Sequence, residues 1–376
     1  MDKKYVEHGM KPFWFWNGEM KDEEITRQIK EMADKGIGGF FIHPRQGNTL
    51  PYMSNQWFEK VGVAIEAAKK YGLEVWLYDE YPYPSGICAG EVVNGHPEYE
   101  ARILKVNKFD INGPQEYECE LPWGEVIMAA AYPVENGEVN WKSPIRLEDE
   151  IGNNQPEKIY HQSLGLTAYN TKRFMSGNLV KKLHWKVPAG SWRVYIFIQV
   201  PVRGHKYFDS FVDPVNPEAV RRFIELTHER YKRHFGHEFG KTIKGIFSDE
   251  ISPMGAPMWS PLMPKLFREK NGYDLIEYLP ALFDDMGEGT DKFRYDYNNT
   301  ITNAFIESYD MQIHNWCREN GILYVGEKPI LRSSQIQHMD IQGMDAGHQK
   351  AGDETQLAHF NYRVNAKIAE SGAFFY

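Results

Sequence analysis

Carboxylates recur in this sequence just after short apolar runs. Asp79-Glu80 follows Leu73 to Tyr78, Asp249-Glu250 follows Thr242 to Phe247, and Glu327 follows Ile322 to Val325. Asn17 and Glu19 come after Pro12 to Trp16, His43 and Arg45 after Gly38 to Ile42, and Asp340 and Asp345 near the run from Gln337 to Ile341. Glycoside cleavage needs one carboxylic acid to protonate the leaving oxygen and a second carboxylate to activate water or attack carbon. This set can supply both. Glu250 and Glu327 are the catalytic candidates, and Trp16, Asn17, His43, Arg45, Asp79, Glu80, Asp249, Asp340 and Asp345 are candidate substrate contacts.

Each assignment has a structural counterpart. Asp-Glu after a strand also arises as a helix cap beside an exposed Glu. The Tyr81-Pro82-Tyr83-Pro84-Ser85-Gly86 loop could use Asp79 to satisfy backbone N–H groups, and a lone His at a strand end is as often a structural group. Strand-end carboxylates together could also hold Ca²⁺, a hard cation that takes oxygen ligands, although no loop spacing specifies such a site. No HExxH, no GxSxG with triad partners and no P-loop occurs, so metalloprotease, serine-hydrolase and nucleotide readings lose their usual support.

The elements that must position these groups alternate. Pro12 to Trp16, Gly38 to Ile42 and Leu73 to Tyr78 read as buried strands, each followed by a polar junction; the first two junctions lead into helical periodicity. Ser54 is a candidate N-cap, as is Asn216 with Pro217 behind it. Strands alternating with helices imply a parallel sheet, and a (β/α)8 (TIM) barrel keeps its catalytic groups at the C-terminal strand ends. From about residue 100 the pattern becomes period-two, with turn signals at Asn112-Gly113, Asn136-Gly137 and Ala189-Gly190. The expected organisation is therefore a first barrel portion over 1–98, an inserted β-rich module over 99–212 with one buried and one wet face, and continuation of the barrel over 213–376. In that last part a long helix is expected from about Phe293 to Glu319 and another over about 358–370, with strands at Ile322 to Val325 and near Gln337 to Ile341. Ala373 to Tyr376 reads as the opening of a seventh strand, so the barrel is expected to be incomplete at its C-terminal side.

Bulk properties narrow the partners. The 376 residues carry 43 Lys and Arg against 52 Asp and Glu, a net charge of -9, with no basic concentration, which argues against nucleic acid. Aromatic residues make up 14%, including 10 Trp and 22 Tyr, and such rings stack on sugars as well as filling cores. Cys88, Cys119 and Cys317 have no C-x-x-C spacing and read as unpaired thiols. No leader-like apolar region or membrane-spanning stretch is evident, so the expectation is a cytoplasmic protein that does not engage a membrane.

The motifs Pro12-Phe13-Trp14-Phe15-Trp16-Asn17-Gly18, Gly36 to His43, and Val75 to Glu80 with Pro84-Ser85-Gly86 together resemble bacterial proteins related to glycoside hydrolase family 106, the α-L-rhamnosidases. Phe247-Ser248-Asp249-Glu250, Asn271-Gly272-Tyr273-Asp274 and Leu279-Pro280 add to the resemblance, which covers roughly residues 10 to 95 and 210 to 376. It implies a barrel glycosidase acting with inversion on a carbohydrate substrate, with Glu250 as general acid and calcium assisting binding. Family members are much longer, so the chain is expected to be the front of such an enzyme, with little or no activity alone, and either to form a homodimer through its open side or to need an absent C-terminal part. The rivals are a barrel glycosidase for another sugar with Glu250 and Glu327 as a retaining pair, and a truncated barrel or binding protein that holds glycan without turnover.

Overall fold

The computed structural model describes residues 9–154, 180–328, 333–343, 370 and 372–374. Strand β1, Phe13–Trp16, leads to helix α1, Asp22–Asp34; β2, Gly39–Pro44, leads to α2, Asn55–Tyr71; and β3, Glu74–Tyr78, follows. Three long strands come next: β4, Arg102–Leu121, β5, Glu125–Glu135, and β6, Val180–Pro201. The chain then forms α3, Pro217–Leu226, α4, His228–Phe235, β7, Ile243–Ser248, α5, Met263–Asn271, and α6, Thr290–Phe305. A π-helical turn at Ile306–Asp310 runs into α7, Met311–Glu319, before β8, Leu323–Gly326, and β9, Ile341–Gln342.

The elements fall into two compact units. The first comprises Met1–Ala101, Val202–Met254 and Ile301–Tyr376. Its sheet has six strands, all parallel, in the order β1-β2-β3-β7-β8-β9. The βα logic is visible in α2, where Ser54 Oγ accepts the Trp57 N–H at 3.2 Å, Gly72 closes the helix with a φ of 72°, and Trp57, Phe58, Val61 and Ile65 are buried. Asn216 caps α3 as its side chain and Pro217 suggest, accepting from Glu218 and Ala219 N–H. The described strands form an open row ending at β1 and β9; a closed barrel, which needs eight strands, is not present among them. Gly372–Phe374 are helical where a strand opening is expected, and the helix expected over about 358–370 lies, but for Glu370, outside the described residues.

The second unit comprises Arg102–Pro201 and Gly255–Thr300. Its sheet is antiparallel, with β6 between β4 and β5, and none of its strands joins the parallel sheet. Asn136-Gly137 makes the expected tight turn, with φ of 54° and 86°. Gly113 instead lies inside the β4–β6 ladder opposite Gly190, at a register irregularity; a Cβ there would stand 1.9 Å from the Pro188 carbonyl. One buried and one wet face is the sequence expectation, yet Val194–Gln199 of β6 is buried without interruption. A strand hidden on both faces needs cover on both. One face packs Leu121, Ala129, Leu183, Trp185, Ile196 and Ile198 together. On the other, Phe283 meets Phe197 with ring centroids 5.8 Å apart, Asp284 bonds Lys108, Arg193 and Tyr195, and Trp259 Nε1 donates to Gln199 at 2.9 Å. That is why Gly255–Thr300, read from sequence as running on within 213–376, clusters with the antiparallel sheet instead.

Candidate active site

Strands β7 and β8 are neighbours with Ser248 opposite Gly326, so the residues that follow them leave the sheet side by side. Asp249, Glu250 and Glu327 each bring a carboxylate oxygen within 4.8 Å of the other two. The Asp249 and Glu327 side chains are hydrogen-bonded to each other, and Tyr78 OH donates to Asp249 Oδ2. Two carboxyl groups can bond directly only through a shared proton. Consistent with that, burial pushes the Asp249 carboxyl up, the bonds from Glu327 and Tyr78 oppose the rise, and the nearby Glu250 charge adds to it. Glu250 adopts a φ of 49°, unusual for a side chain of this size, and its Oε2 accepts from the Lys206 ammonium, which lies 4.3 Å from the centroid of the Tyr83 ring.

Behind this trio the end of β3 is locked. Glu80 is fully buried, and its two oxygens accept the backbone N–H groups of Tyr81, Ile87, Cys88 and Ala89 at 2.7–2.9 Å. Burial raises its carboxyl to about 7 against the pull of those four donors. Glu80 therefore organises the Pro- and Gly-rich loop and offers no free oxygen to a sugar, contrary to the sequence expectation. Asp79 is also fully buried: Ser85 Oγ donates to its Oδ1 and burial drives its carboxyl well above the usual range, so it too is withheld from a substrate. Ser85 in turn accepts the Asp249 N–H at 2.7 Å and donates its own N–H to the Asp249 carbonyl at 2.8 Å, tying the loop to the trio.

The remaining candidates divide by sheet face. His43 stacks on Tyr78 at 3.7 Å between ring centroids, and its Nδ1–H donates to the Pro44 carbonyl at 3.1 Å. Burial, then the Arg45 charge, lowers His43 to about 3, so the ring is neutral. Arg45 lies over Phe15 and Tyr83 at 5.0 and 4.6 Å and makes no ion pair among the described residues. Asn17 is exposed after β1. Trp16 is a correction: it points to the opposite face, fully buried against Trp14 and Trp57, because strand alternation sends Phe13 and Phe15 to the site side. Asp340 is another. It precedes β9, and its carboxylate accepts the Tyr324 N–H at 2.8 Å, which places it at the wrong end of that strand. Asp345 lies outside the described residues. Sequence reasoning missed Tyr78, Ser85 and Lys206. Tyr78 was legible as the last residue of an apolar run, whereas nothing in the spacing of Lys206 points to Glu250.

The comparisons agree with this fold. A family model described as alpha-L-rhamnosidase, that of glycoside hydrolase family 106, matches residues 175–363, half of the chain. A putative beta-glucuronidase of Formosa agariphila is 22% identical over 354 residues, an alignment covering 83% of this chain and 29% of that protein. The structure of a rhamnosidase from Novosphingobium sp. PP1Y superposes with a TM-score of 0.55 at 16% identity, covering 89% of this chain and 48% of that one. The chain thus spans less than half the length of either relative. A mixed α/β fold with one parallel and one antiparallel sheet, carboxylates gathered at adjacent parallel strand ends and a family match over half of the sequence lead to one assignment: the chain belongs to glycoside hydrolase family 106, the α-L-rhamnosidase family.

Proposed function

We propose that this chain carries the bond-cleaving site of an α-L-rhamnosidase-type glycosidase, with Glu250 donating the proton to the glycosidic oxygen and Glu327 as its partner carboxylate. The observation that supports this most is the gathering of Glu250, Glu327 and Asp249 oxygens within 4.8 Å at the ends of two adjacent parallel strands. Lys206 holds Glu250 in place until a sugar displaces the contact, and Tyr78 and Ser85 fix Asp249 beside it. Phe15, Tyr83 and Arg45 offer ring faces and hydrogen-bond donors to the sugar. In this reading the six parallel strands belong to a (β/α)8 barrel, with the β-rich module inserted after β3.

Calcium fits the donor set: three carboxylates offer only hard oxygen ligands at mutual distances a single ion could bridge. Asp249, Glu250 and Glu327 would hold it, but an ion bound by Glu250 would take the oxygen that has to carry the donated proton, so a calcium site at this trio and the acid role of Glu250 exclude one another.

A second reading also accommodates the close approach of Glu250 and Glu327. Inverting enzymes keep their carboxyl groups about 6.5–9.5 Å apart and retaining ones about 5–5.5 Å, so the two readings differ in the anomer they release. Proton NMR of the first-formed sugar separates the two: the inverted anomer is expected from the rhamnosidase-type reading, the retained anomer from a Glu250–Glu327 nucleophile pair. Glu250→Gln in the full-length protein is expected to keep the fold and to lower kcat on glycosides with poor leaving groups by roughly 10²–10⁴-fold. Turnover within about twofold of the parent would remove Glu250 from the chemistry.

A further inference from the structure

The π-helical turn Ile306–Asp310 interrupts what is otherwise a helix of ordinary pitch, and such turns are frequent at functional sites. Four of its residues are buried, Ile306 and the polar Ser308, Tyr309 and Asp310. Ser308 Oγ donates to the Pro214 carbonyl at 2.7 Å, seating the turn. Tyr309 OH lies 2.7 Å from Ser248 Oγ, the residue immediately before Asp249-Glu250. Asp310 Oδ1 lies 3.0 Å from the ammonium of Lys328, the residue immediately after Glu327. The two contacts thus reach both carboxylate-bearing strand ends from consecutive residues of one turn.

The rest of the network leaves these groups little freedom. Tyr324 OH donates to Asp310 Oδ1 at 2.9 Å, Gln335 Nε2 donates to Asp310 Oδ2 at 3.2 Å, and Lys328 donates to Tyr324 OH at 3.2 Å. The Lys328 ammonium also stands 4.7 Å from the centroid of the Tyr309 ring, so the two halves of the clamp touch. Both Asp310 and Lys328 are almost wholly buried, and an isolated charge at either position would be costly. Consecutive helical residues diverge by about 100° in a regular helix and somewhat less in the wider π turn, so Tyr309 reaches Ser248 at the end of β7 while Asp310 reaches Lys328 past the end of β8.

We propose that Tyr309, Asp310 and Lys328 are positioning residues: the π turn clamps the exits of β7 and β8 in one register and thereby sets the Asp249-Glu250 carboxylates against Glu327. The proposal rests on the catalytic reading of that trio given above. An ion pair kept only for stability can be exchanged for apolar residues of similar volume with little loss of fold, whereas a clamp cannot be exchanged without loosening what it holds.

The test uses the full-length protein. Asp310→Leu combined with Lys328→Met removes the pair without leaving an unpaired charge, and Tyr309→Phe removes only the hydroxyl on Ser248. The double variant is expected to melt within a few degrees of the parent, to keep KM within about threefold, and to lose kcat by about tenfold or more. Tyr309→Phe is expected to lower kcat by about threefold or more with KM unchanged. A folded double variant with parental kcat overturns the proposal; should that variant not fold, parental kcat in Tyr309→Phe overturns it instead. Glu250→Gln is assayed beside them. If it retains turnover the catalytic reading fails, and the clamp is then judged from crystal structures of the variants. Glu327 and Asp249 carboxylates displaced by more than about 0.5 Å uphold it, and positions unchanged within that distance overturn it.

Discussion

Burial decides the charge of two histidines in the parallel-sheet unit. His43 beside the candidate site and His228 at the start of α4 are both held near pKa 3, His43 by burial and the Arg45 charge, His228 by burial alone. Between pH 6.5 and 3 the unfolded chain therefore binds more protons than the folded one, so stability falls as pH drops through that window. Each group accounts for about 1.4 kcal/mol per pH unit well inside it. His228 is the cleaner probe, since among the described residues its ring bonds Thr227 Oγ1 alone, at 2.7 Å, and burial is the one cause of its shift. His228→Asn is expected to flatten the decline in unfolding free energy between pH 6 and 4.5 by about 1.4 kcal/mol per unit, read from urea titrations at several pH values; an unchanged slope would show that His228 is protonated in the folded state. The same burial explains a reading that sequence could not settle. By sequence Asp79-Glu80 suits either a substrate or its own loop; in the structure four backbone N–H groups of that loop converge on Glu80 and a serine on Asp79.

Of the two strands that deliver the carboxylates, β7 is held by a close approach on both sides. Gly245 lies between β3 and β8, where an added Cβ would meet the Leu323 carbonyl and the Trp76 ring, each at 2.6 Å. Neither neighbour can give way without moving a strand. Gly245→Ala is expected to cost about 1–3 kcal/mol by overpacking and to lower turnover as well, because β7 delivers Asp249 and Glu250; a denaturation midpoint equal to the parent's would refute it. Helix positions were the most legible part of the sequence, since caps such as Ser54, Gly72 and Asn216 act within a few residues of themselves. Face assignments were not. Phe13-Trp14-Phe15-Trp16 is apolar at every position, so alternation alone cannot tell which pair meets α2 and which borders the site.

On the scale of the whole molecule, each unit has its own sheet and core. Within the parallel sheet β1 and β9 each pair on one side only among the described residues, and Phe13 and Phe15 are exposed on the site face. Edge strands of this kind invite pairing with another chain. The 376-residue chain is expected to show a concentration-dependent shift toward a dimer in sedimentation. A sedimentation coefficient constant over a roughly hundredfold range of concentration would refute that expectation.

Strand-then-carboxylate spacing, helix caps and the change to period-two runs determined, without any coordinates, a parallel α/β framework, a separate β-rich module and the shortlist that contains Asp249, Glu250 and Glu327. These features act over a few residues and survive in one dimension. Only the tertiary structure decided that Glu80 and Asp340 serve the backbone, that Trp16 turns away from the site, that Gly255–Thr300 covers the antiparallel sheet, and that Lys206, Tyr309, Asp310 and Lys328 surround the carboxylates. The reason is physical: Glu80 and Asp340 meet donors within sixteen residues, but whether the loop folds back on Glu80 and which strands lie side by side depend on contacts between residues dozens of positions apart. Local pattern carries no record of that distance.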